Sequence, residues 1–214
     1  MQTERCHIFS MVAFTALISW TVVLSPMATG IDSPFDALEM NLSEYQNPWP
    51  VINTTRVVYL ERISEENATH RCVKSRYWGY EAYKRTVKRS LDLVSHNVSS
   101  INISLDVKYQ QSVNGSNITM LEVTSEEKPE LPFPAQNLPE FYSTGNRTFP
   151  VLFSDRYCLI LGDALNETRF TNCSLWFLPK GIWLSPPVCC EFMFIILCGQ
   201  GTKFDWDKKC DKNK

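Results

Sequence analysis

The sequence is poor in the residues and motifs on which most enzymes depend. It has three histidines among 214 residues, and only His70 and His96 lie beyond the first thirty. No G-x-S-x-G elbow, H-E-x-x-H motif or G-x-x-x-x-G-K-[ST] loop occurs. Because no nucleophile, base and orienting group are brought together, the sequence predicts a binding protein, not an enzyme, with no cofactor and no catalytic or metal residues.

An excess of charge of either sign is also missing. Lysine and arginine total 21 against 23 acidic residues, a formal net charge of −2. This balance argues against the basic surface of a nucleic-acid-binding protein and against an acidic tail. We therefore expect no nucleic-acid partner.

Long apolar runs are limited to the first residues. Ile8–Leu24 has no charged residue, Arg5 precedes it, and the small residues Ala28 and Gly30 follow. This pattern predicts a signal peptide over residues 1–30 and a secreted, extracellular domain over residues 31–214. An uncleaved anchor is the alternative, but the run is at the short end for a bilayer span, so we expect no membrane span.

Glycosylation sequons are abundant, which agrees with secretion. Each occupied asparagine must face water, so the sequons also mark the outside of the fold. The ten candidate asparagines are Asn41, Asn53, Asn67, Asn97, Asn102, Asn114, Asn117, Asn146, Asn166 and Asn172.

Short runs with a period of two dominate the chain up to residue 186. In Ile101–Gln111, apolar residues alternate with polar ones, and the sequon at Asn102 falls on the polar face. Such runs predict a β-sandwich or an up-and-down barrel. The eight predicted strands are Arg56–Ile63, Arg71–Tyr83, Thr86–Val94, Ile101–Gln111, Ile118–Thr124, Thr148–Phe153, Tyr157–Leu161 and Cys173–Leu178.

Two further segments differ from the strands. Pro129–Phe141 holds four prolines, which predicts a loop, either over a barrel mouth or as a plain connection. Val188–Cys198 lies between Pro186-Pro187 and Gly199, which predicts a helix. We expect this apolar helix to pack on the outside of the barrel wall.

Seven cysteines follow the predicted signal peptide, and a secreted chain favours disulfides. On a helix, Cys190 and Cys198 lie roughly 80° apart, so both can face the barrel. Strand parity can point Cys158 and Cys173 outward towards them. We predict the pairs Cys158–Cys190, Cys173–Cys198 and Cys72–Cys210.

Cys189 is left over in this scheme. It could pair between chains, be capped or replace Cys190. The sequence alone does not prove the connectivity, since six cysteines allow fifteen pairings. Zinc binding is the competing interpretation of the cysteines, but paired C-x₂-C elements are missing.

The cysteine order resembles that of the tick salivary lipocalins, the histamine-binding-protein-like family. The resemblance rests on Tyr157–Ile160, Cys173–Trp176, Cys189–Phe192 and Cys198-Gly199 with Cys210, and on Asn47–Trp49 and Arg71–Val73 in the first half. It implies an eight-stranded antiparallel up-and-down barrel with a flanking C-terminal helix and an internal ligand cavity. Members sequester amines, leukotrienes, sterols or fatty acids, and some bind host proteins such as complement components.

Histamine-type members carry acidic residues at two positions of this window, and this chain does not. An Asp usually follows the cysteine matching Cys158, and a Glu precedes the Leu-Trp matching Leu175-Trp176. Leu159 and Ser174 stand there. Only Trp176 is retained, and an unpaired amine in an apolar cavity is costly, so we expect amine binding to be lost.

Strand parity predicts an apolar lining for the cavity, suited to cholesterol or a fatty-acid-like ligand. The alternative is that these side chains simply fill the barrel as core. The predicted ligand-binding residues are Leu91, Leu93, Ile103, Leu105, Val107, Phe149, Val151, Phe153, Leu159, Leu161 and Trp176.

Three positions near the predicted cavity stay open. Arg89 shares the inward face with Val87, so it either pairs with a carboxylate or a polar head group at the mouth or reaches water from the strand end. Trp78 and Tyr80 are unassigned, because a bulge can reverse their phase.

Dense glycosylation and the missing acids are typical of the japanin-like group, whose members hold cholesterol and restrain host dendritic cells. The resemblance thus implies an immunomodulator. A second hypothesis is a module that binds a host immune-cell or plasma protein through its outer surface.

Overall fold

The computed structural model describes residues 43–64, 72–94, 98–111, 117–125, 146–162, 173–180, 185–204 and 210. The chain divides into Met1–Asn41 and Leu42–Lys214, and all described residues belong to the second unit. The predicted signal peptide and the loop Pro129–Phe141 lie outside the described residues. So do the sequons at Asn41, Asn67, Asn97, Asn114, Asn166 and Asn172.

Strands make up most of the described chain, as the short alternating runs predict. A 3₁₀ turn at Ser43–Tyr45 and helix α1 at Trp49–Ile52 precede them, and helix α2 at Val188–Cys198 follows β9. The strands are β1 Val58–Ile63, β2 Cys72–Ser75, β3 Tyr77–Glu81, β4 Thr86–Val94, β5 Val98–Gln111, β6 Asn117–Ser125, β7 Asn146–Ser154, β8 Cys158–Gly162, β9 Cys173–Phe177 and β10 Thr202–Lys203.

The strands close into an eight-stranded antiparallel barrel. β2 and β3 both pair with β4 and act as one strand of the wall, and the others pair in chain order through β9. The barrel closes where β9 pairs with β1, with Leu60 opposite Trp176. Closure leaves no free sheet edge in this ring. The predicted up-and-down barrel with a C-terminal helix is confirmed.

The prediction of one continuous strand over Arg71–Tyr83 is wrong, because the strand is broken at Arg76 into β2 and β3. The pairing of β3 with β4 also shifts between Tyr77 and Gly79. Trp78 is the extra residue of this bulge, which reverses the in-and-out alternation beyond it. Tyr80 then pairs with the inward-facing Val87.

Helix α1 lies at the end of the barrel where β1 begins. Prolines at its start suit the first turn of a helix, where the missing N–H has no helical partner. Asn47 Oδ1 accepts a hydrogen bond from the Trp49 N–H at 3.1 Å. Val51 and Ile52 are buried in the barrel core, so α1 covers this end.

Helix α2 packs outside β8 and β9 through two disulfides. Cys158 bonds to Cys190, and Cys173 bonds to Cys198. The buried residues of α2 are Cys190, Met193 and Phe194. The predicted helix and its two disulfides are therefore present, and the helix lies on the outer wall.

The third predicted pair, Cys72–Cys210, is also bonded and ties the tail to β2. The Lys74 ammonium donates to the Cys210 carbonyl at 2.8 Å beside it. The expectation that Cys189 is left over is wrong, because Cys189 is disulfide-bonded as well. The other half of that bond lies outside the described residues.

Candidate functional site

Apolar side chains from every strand of the wall meet inside the barrel. Alternation along β4 to β9 turns these residues inward, and they form one core cluster with residues of α1 and β1. Ile103 and Val107 pack half-buried against it. The predicted inward residues that are fully buried in this cluster are Leu91, Leu93, Leu105, Phe149, Val151, Leu159, Leu161 and Trp176.

Phe153 is the one member of the predicted lining that the structure places elsewhere. The pairing of β7 with β8 shifts between Val151 and Phe153, so the chain has one extra residue there. Val151 opposes the inward Leu161, whereas Phe153 opposes Ile160, which faces outward. Phe153 instead stacks on Tyr45, with ring centroids 5.8 Å apart. Its prediction as a cavity residue is wrong because of this bulge.

Leu159 and Ser174, the two positions that lack acids, both face inward. Leu159 is the cross-strand partner of Trp176, and Leu161 is the partner of Ser174. The Trp176 indole N–H donates to Ser174 Oγ at 3.0 Å. This bond satisfies a buried polar group without introducing charge.

Carboxylates of the described barrel strands lie on the outer face. Asp92 forms a two-point ion pair with Arg76, and Ser100 Oγ donates to it at 2.6 Å. The Thr86 hydroxyl donates to Asp106 at 2.5 Å. The buried Glu61 pairs with Lys203 at 2.9 Å. Within the described ranges, the inner face of the strands therefore has no acidic group.

Arg89 occupies the inner face near α1, where it is 1% exposed. Its guanidinium donates five hydrogen bonds of 2.7–2.9 Å, two to Ser75 and three to the carbonyls of Ile52, Thr54 and Arg56. All five N–H groups of the guanidinium are thereby used. Arg89 thus fastens the α1 segment across this end of the barrel.

The expectation that Arg89 reaches water from the strand end is wrong, because its side chain is buried. All five of its N–H groups bind protein acceptors and none binds a carboxylate of the described residues. Burial lowers the pKa of its guanidinium to about 10, while the Tyr77 ring acts in the opposite direction. The inward parity of an arginine is the one sequence signal for this role. The carbonyl acceptors come from a distant segment that periodicity cannot place.

A cleft of about 390 Å³ opens on the side of the barrel, lined by Trp78, Lys88, Arg89, Asn102, Ile103 and Ser104. Trp78 projects from the β3 bulge and is 60% exposed. Trp78, Lys88, Asn102 and Ser104 belong to the outer face, and the inward-facing Arg89 and Ile103 lie next to them along β4 and β5. The cleft is a feature of the outer wall.

The sequon asparagines that fall in the described part of the chain all face water. Asn53 follows α1, Asn102 lies in β5, Asn117 begins β6 and Asn146 begins β7; each is exposed. Their placement agrees with the rule that glycans mark the outside.

The family profile described as tick histamine binding protein matches residues 36–212. The chain belongs to this family. The resemblance of its cysteine order to the tick salivary lipocalins is thereby confirmed. No curated protein matches the chain.

Two solved structures are similar to this tick histamine-binding-protein family member. Japanin from Rhipicephalus appendiculatus bound to cholesterol has 24% identity and a TM-score of 0.49, covering 75% of this chain and 98% of japanin. Apocrustacyanin C2 has 13% identity and a TM-score of 0.46, covering 83% of this chain and 88% of that chain.

Within its described residues, this family member has no helix long and apolar enough to span a membrane. Helix α2, the longest of the described helices, has 11 residues.

Proposed function

We propose that this chain is a secreted lipocalin that holds a small hydrophobic ligand, a sterol such as cholesterol or a fatty-acid-like molecule, inside its barrel. The observation that carries the proposal is the apolar inner face of the described strands, which bears no carboxylate. Burying an apolar ligand there is worth roughly 25 cal/mol per Å² of surface removed from water. The ligand contacts are the inward residues of the predicted lining, without Phe153.

An amine ligand is the alternative that the family description suggests. A protonated amine in an apolar site needs a counter-charge or an aromatic cage. Leu159 and Ser174 supply neither a counter-charge nor an aromatic ring. Beside them, the Trp176 indole is a single aromatic group and does not form a cage. The inner wall of this chain therefore favours an uncharged or weakly polar ligand over histamine or serotonin.

The biological outcome of holding such a ligand is modulation of host immune and inflammatory responses, with dendritic cells as the target. The protein acts by binding and catalyses no reaction. A second candidate is inhibition of a host plasma protein, such as a complement component, through the outer surface. Tyr83, in the turn between β3 and β4, favours it, because its side chain is 80% exposed.

Competitive titration of delipidated, secreted protein tests the ligand class. We expect a fluorescent sterol or fatty-acid analogue to bind at one site and to be displaced by cholesterol or by a fatty acid. Histamine and serotonin are expected not to displace it and to give no heat in calorimetry. Tight amine binding, or no lipid binding at all, would contradict the proposal.

The immune outcome needs a separate readout. Lipid-loaded and delipidated protein are applied to stimulated dendritic cells, and cytokine release is measured. A response that depends on the cargo supports action through the barrel. An equal response from both forms favours the outer surface.

A further inference from the structure

We propose that the N-glycan on Asn102 packs into the outer cleft against Trp78, so that the protein's own sugar covers this exposed indole. The occupant is the first sugar of a modification at the sequon Asn102-Ile103-Ser104. Asn102 and Ser104 themselves line the cleft together with Trp78.

The register of three neighbouring strands brings these groups together. Ser90 on β4 is the partner of Asn102 on β5, and Lys88 is the partner of both Gly79 and Ser104. Trp78 therefore lies two strands from Asn102, which is about 10 Å between backbones. The indole and one sugar ring, extending from opposite sides, cover that distance.

Two small residues lie beside the cleft on the same strands. Ser90 faces outward with its Oγ accepting from the Arg76 N–H at 3.2 Å. Gly79 has no side chain, and a Cβ placed there would meet nothing within 4 Å. These two positions leave room above the sheet between the indole and Asn102.

The indole is held in place for such a contact. The Arg76 guanidinium lies 5.5 Å from the centroid of the Trp78 ring. Arg76 is itself fixed by the bidentate ion pair with Asp92, which is 1% exposed. An aromatic ring held by its neighbours presents a flat apolar surface at low entropic cost.

The chemistry of the sugar matches that of the residues lining the cleft. N-acetylglucosamine has an apolar face of C–H groups that packs on an aromatic ring, and polar edges that need hydrogen-bond partners. Lys88 lies on β4 between β3 and β5, where its ammonium donates to Ser104 Oγ at 2.8 Å and pairs with Glu81 at 3.6 Å. Together with Asn102 and Ser104, it gives the cleft a polar lining that suits the hydroxyl and acetyl oxygens of the sugar.

Site-resolved deglycosylation of the folded protein tests this contact. Protein secreted from insect or mammalian cells is treated with a peptide N-glycosidase under native conditions, and release is followed by peptide mass spectrometry. We expect release at Asn102 to become about fivefold faster in Trp78→Ala. Trp78→Phe keeps an aromatic ring and should keep the protection. Release at Asn146, a sequon on β7, should be the same in all three proteins.

A stability cycle gives an independent readout. Asn102→Gln should lower the melting temperature by about 2–4 °C in the wild type but not in the Trp78→Ala background. Asn146→Gln in both backgrounds is the matched control and should show no such coupling. An unoccupied Asn102, equal release rates in wild type and Trp78→Ala, or additive changes in melting temperature would overturn the inference.

Discussion

Leu159 and Trp176 are cross-strand partners on β8 and β9, and both side chains face into the barrel. The next pair on the same strands, Leu161 and Ser174, faces inward as well. A leucine and a serine thus occupy the two inward positions where amine-binding relatives are expected to carry acids. This arrangement links the choice of ligand to two residues of one sheet.

Restoring both acids should change that choice. In the double variant Leu159→Asp with Ser174→Glu, a lipid ligand meets buried carboxylates, and we expect its affinity to fall by about tenfold or more. Histamine binding should appear, because the acids supply the missing counter-charge. Displacement titration and calorimetry measure both changes.

The matched control for the acidic variant is Gln110→Glu, which adds a carboxylate at an exposed position of β5. It should leave lipid affinity unchanged. If lipid binding survives in the double variant, the ligand does not contact this part of the inner wall.

The two phenylalanines of β7 should differ in function although both are buried. Phe149 belongs to the inner cluster, whereas Phe153 stacks on Tyr45 beyond the bulge. Phe149→Leu should therefore alter lipid affinity. Phe153→Leu should lower the free energy of unfolding and leave lipid affinity unchanged. A several-fold change in affinity from Phe153→Leu would show that its side chain reaches the ligand.

Arg89 should be a major determinant of stability. Arg89→Met leaves carbonyls of the α1 segment and of Ser75 without their donors, and we expect a loss of more than ~3 kcal/mol in the free energy of unfolding. Arg89→Lys should recover only part of it, since an ammonium has three donors and no planar fork. Urea titration measures each loss.

Arg56 provides the control for that experiment. Its side chain is exposed and only its carbonyl accepts from Arg89. Arg56→Met should therefore change stability by less than ~0.5 kcal/mol. Similar effects of Arg89→Met and Arg56→Met would argue against the role of Arg89 at the closed end.

The ion pair beneath α2 should make stability depend on pH in the alkaline range. A hydrogen bond to Glu61 raises the pKa of Lys203 above its usual 10.5, against the effect of its own burial. A raised pKa in the folded state means that the stabilisation is complete below about pH 10.5 and is lost as the pH rises through the folded value.

We therefore expect Lys203→Met to lower the melting temperature at pH 8 and the difference from wild type to shrink above pH 10.5. Lys108→Met removes an exposed pair with Glu122 and should have little effect at either pH. A difference between Lys203→Met and wild type that stays constant with pH would count against this ion pair.

Much of this fold follows from periodicity and cysteine placement. Strand β4 and helix α2 have the bounds that alternation and flanking prolines predict, and all three predicted disulfides are present. These features depend on local pattern, which a sequence displays directly. The same reasoning places ten of the eleven predicted lining residues inside or against the core.

The failures have physical causes in single residues. A period-two pattern does not show where an extra residue is inserted. It therefore could not locate the bulges that turn Phe153 outward and set Trp78 on the outer wall. Parity places Arg89 on the correct, inward face, but its role was missed because its partners at Ile52, Thr54 and Arg56 lie more than thirty residues away. Long-range hydrogen bonding of this kind leaves no periodic signal.

Native mass spectrometry of the glycosylated protein, secreted from eukaryotic cells and purified without delipidation, shows whether the barrel holds a lipid. We expect one bound lipid per chain, released on unfolding and identified as a sterol or a fatty-acid-like molecule. A barrel that carries no lipid and takes up none when cholesterol or fatty acids are supplied would contradict the proposed function.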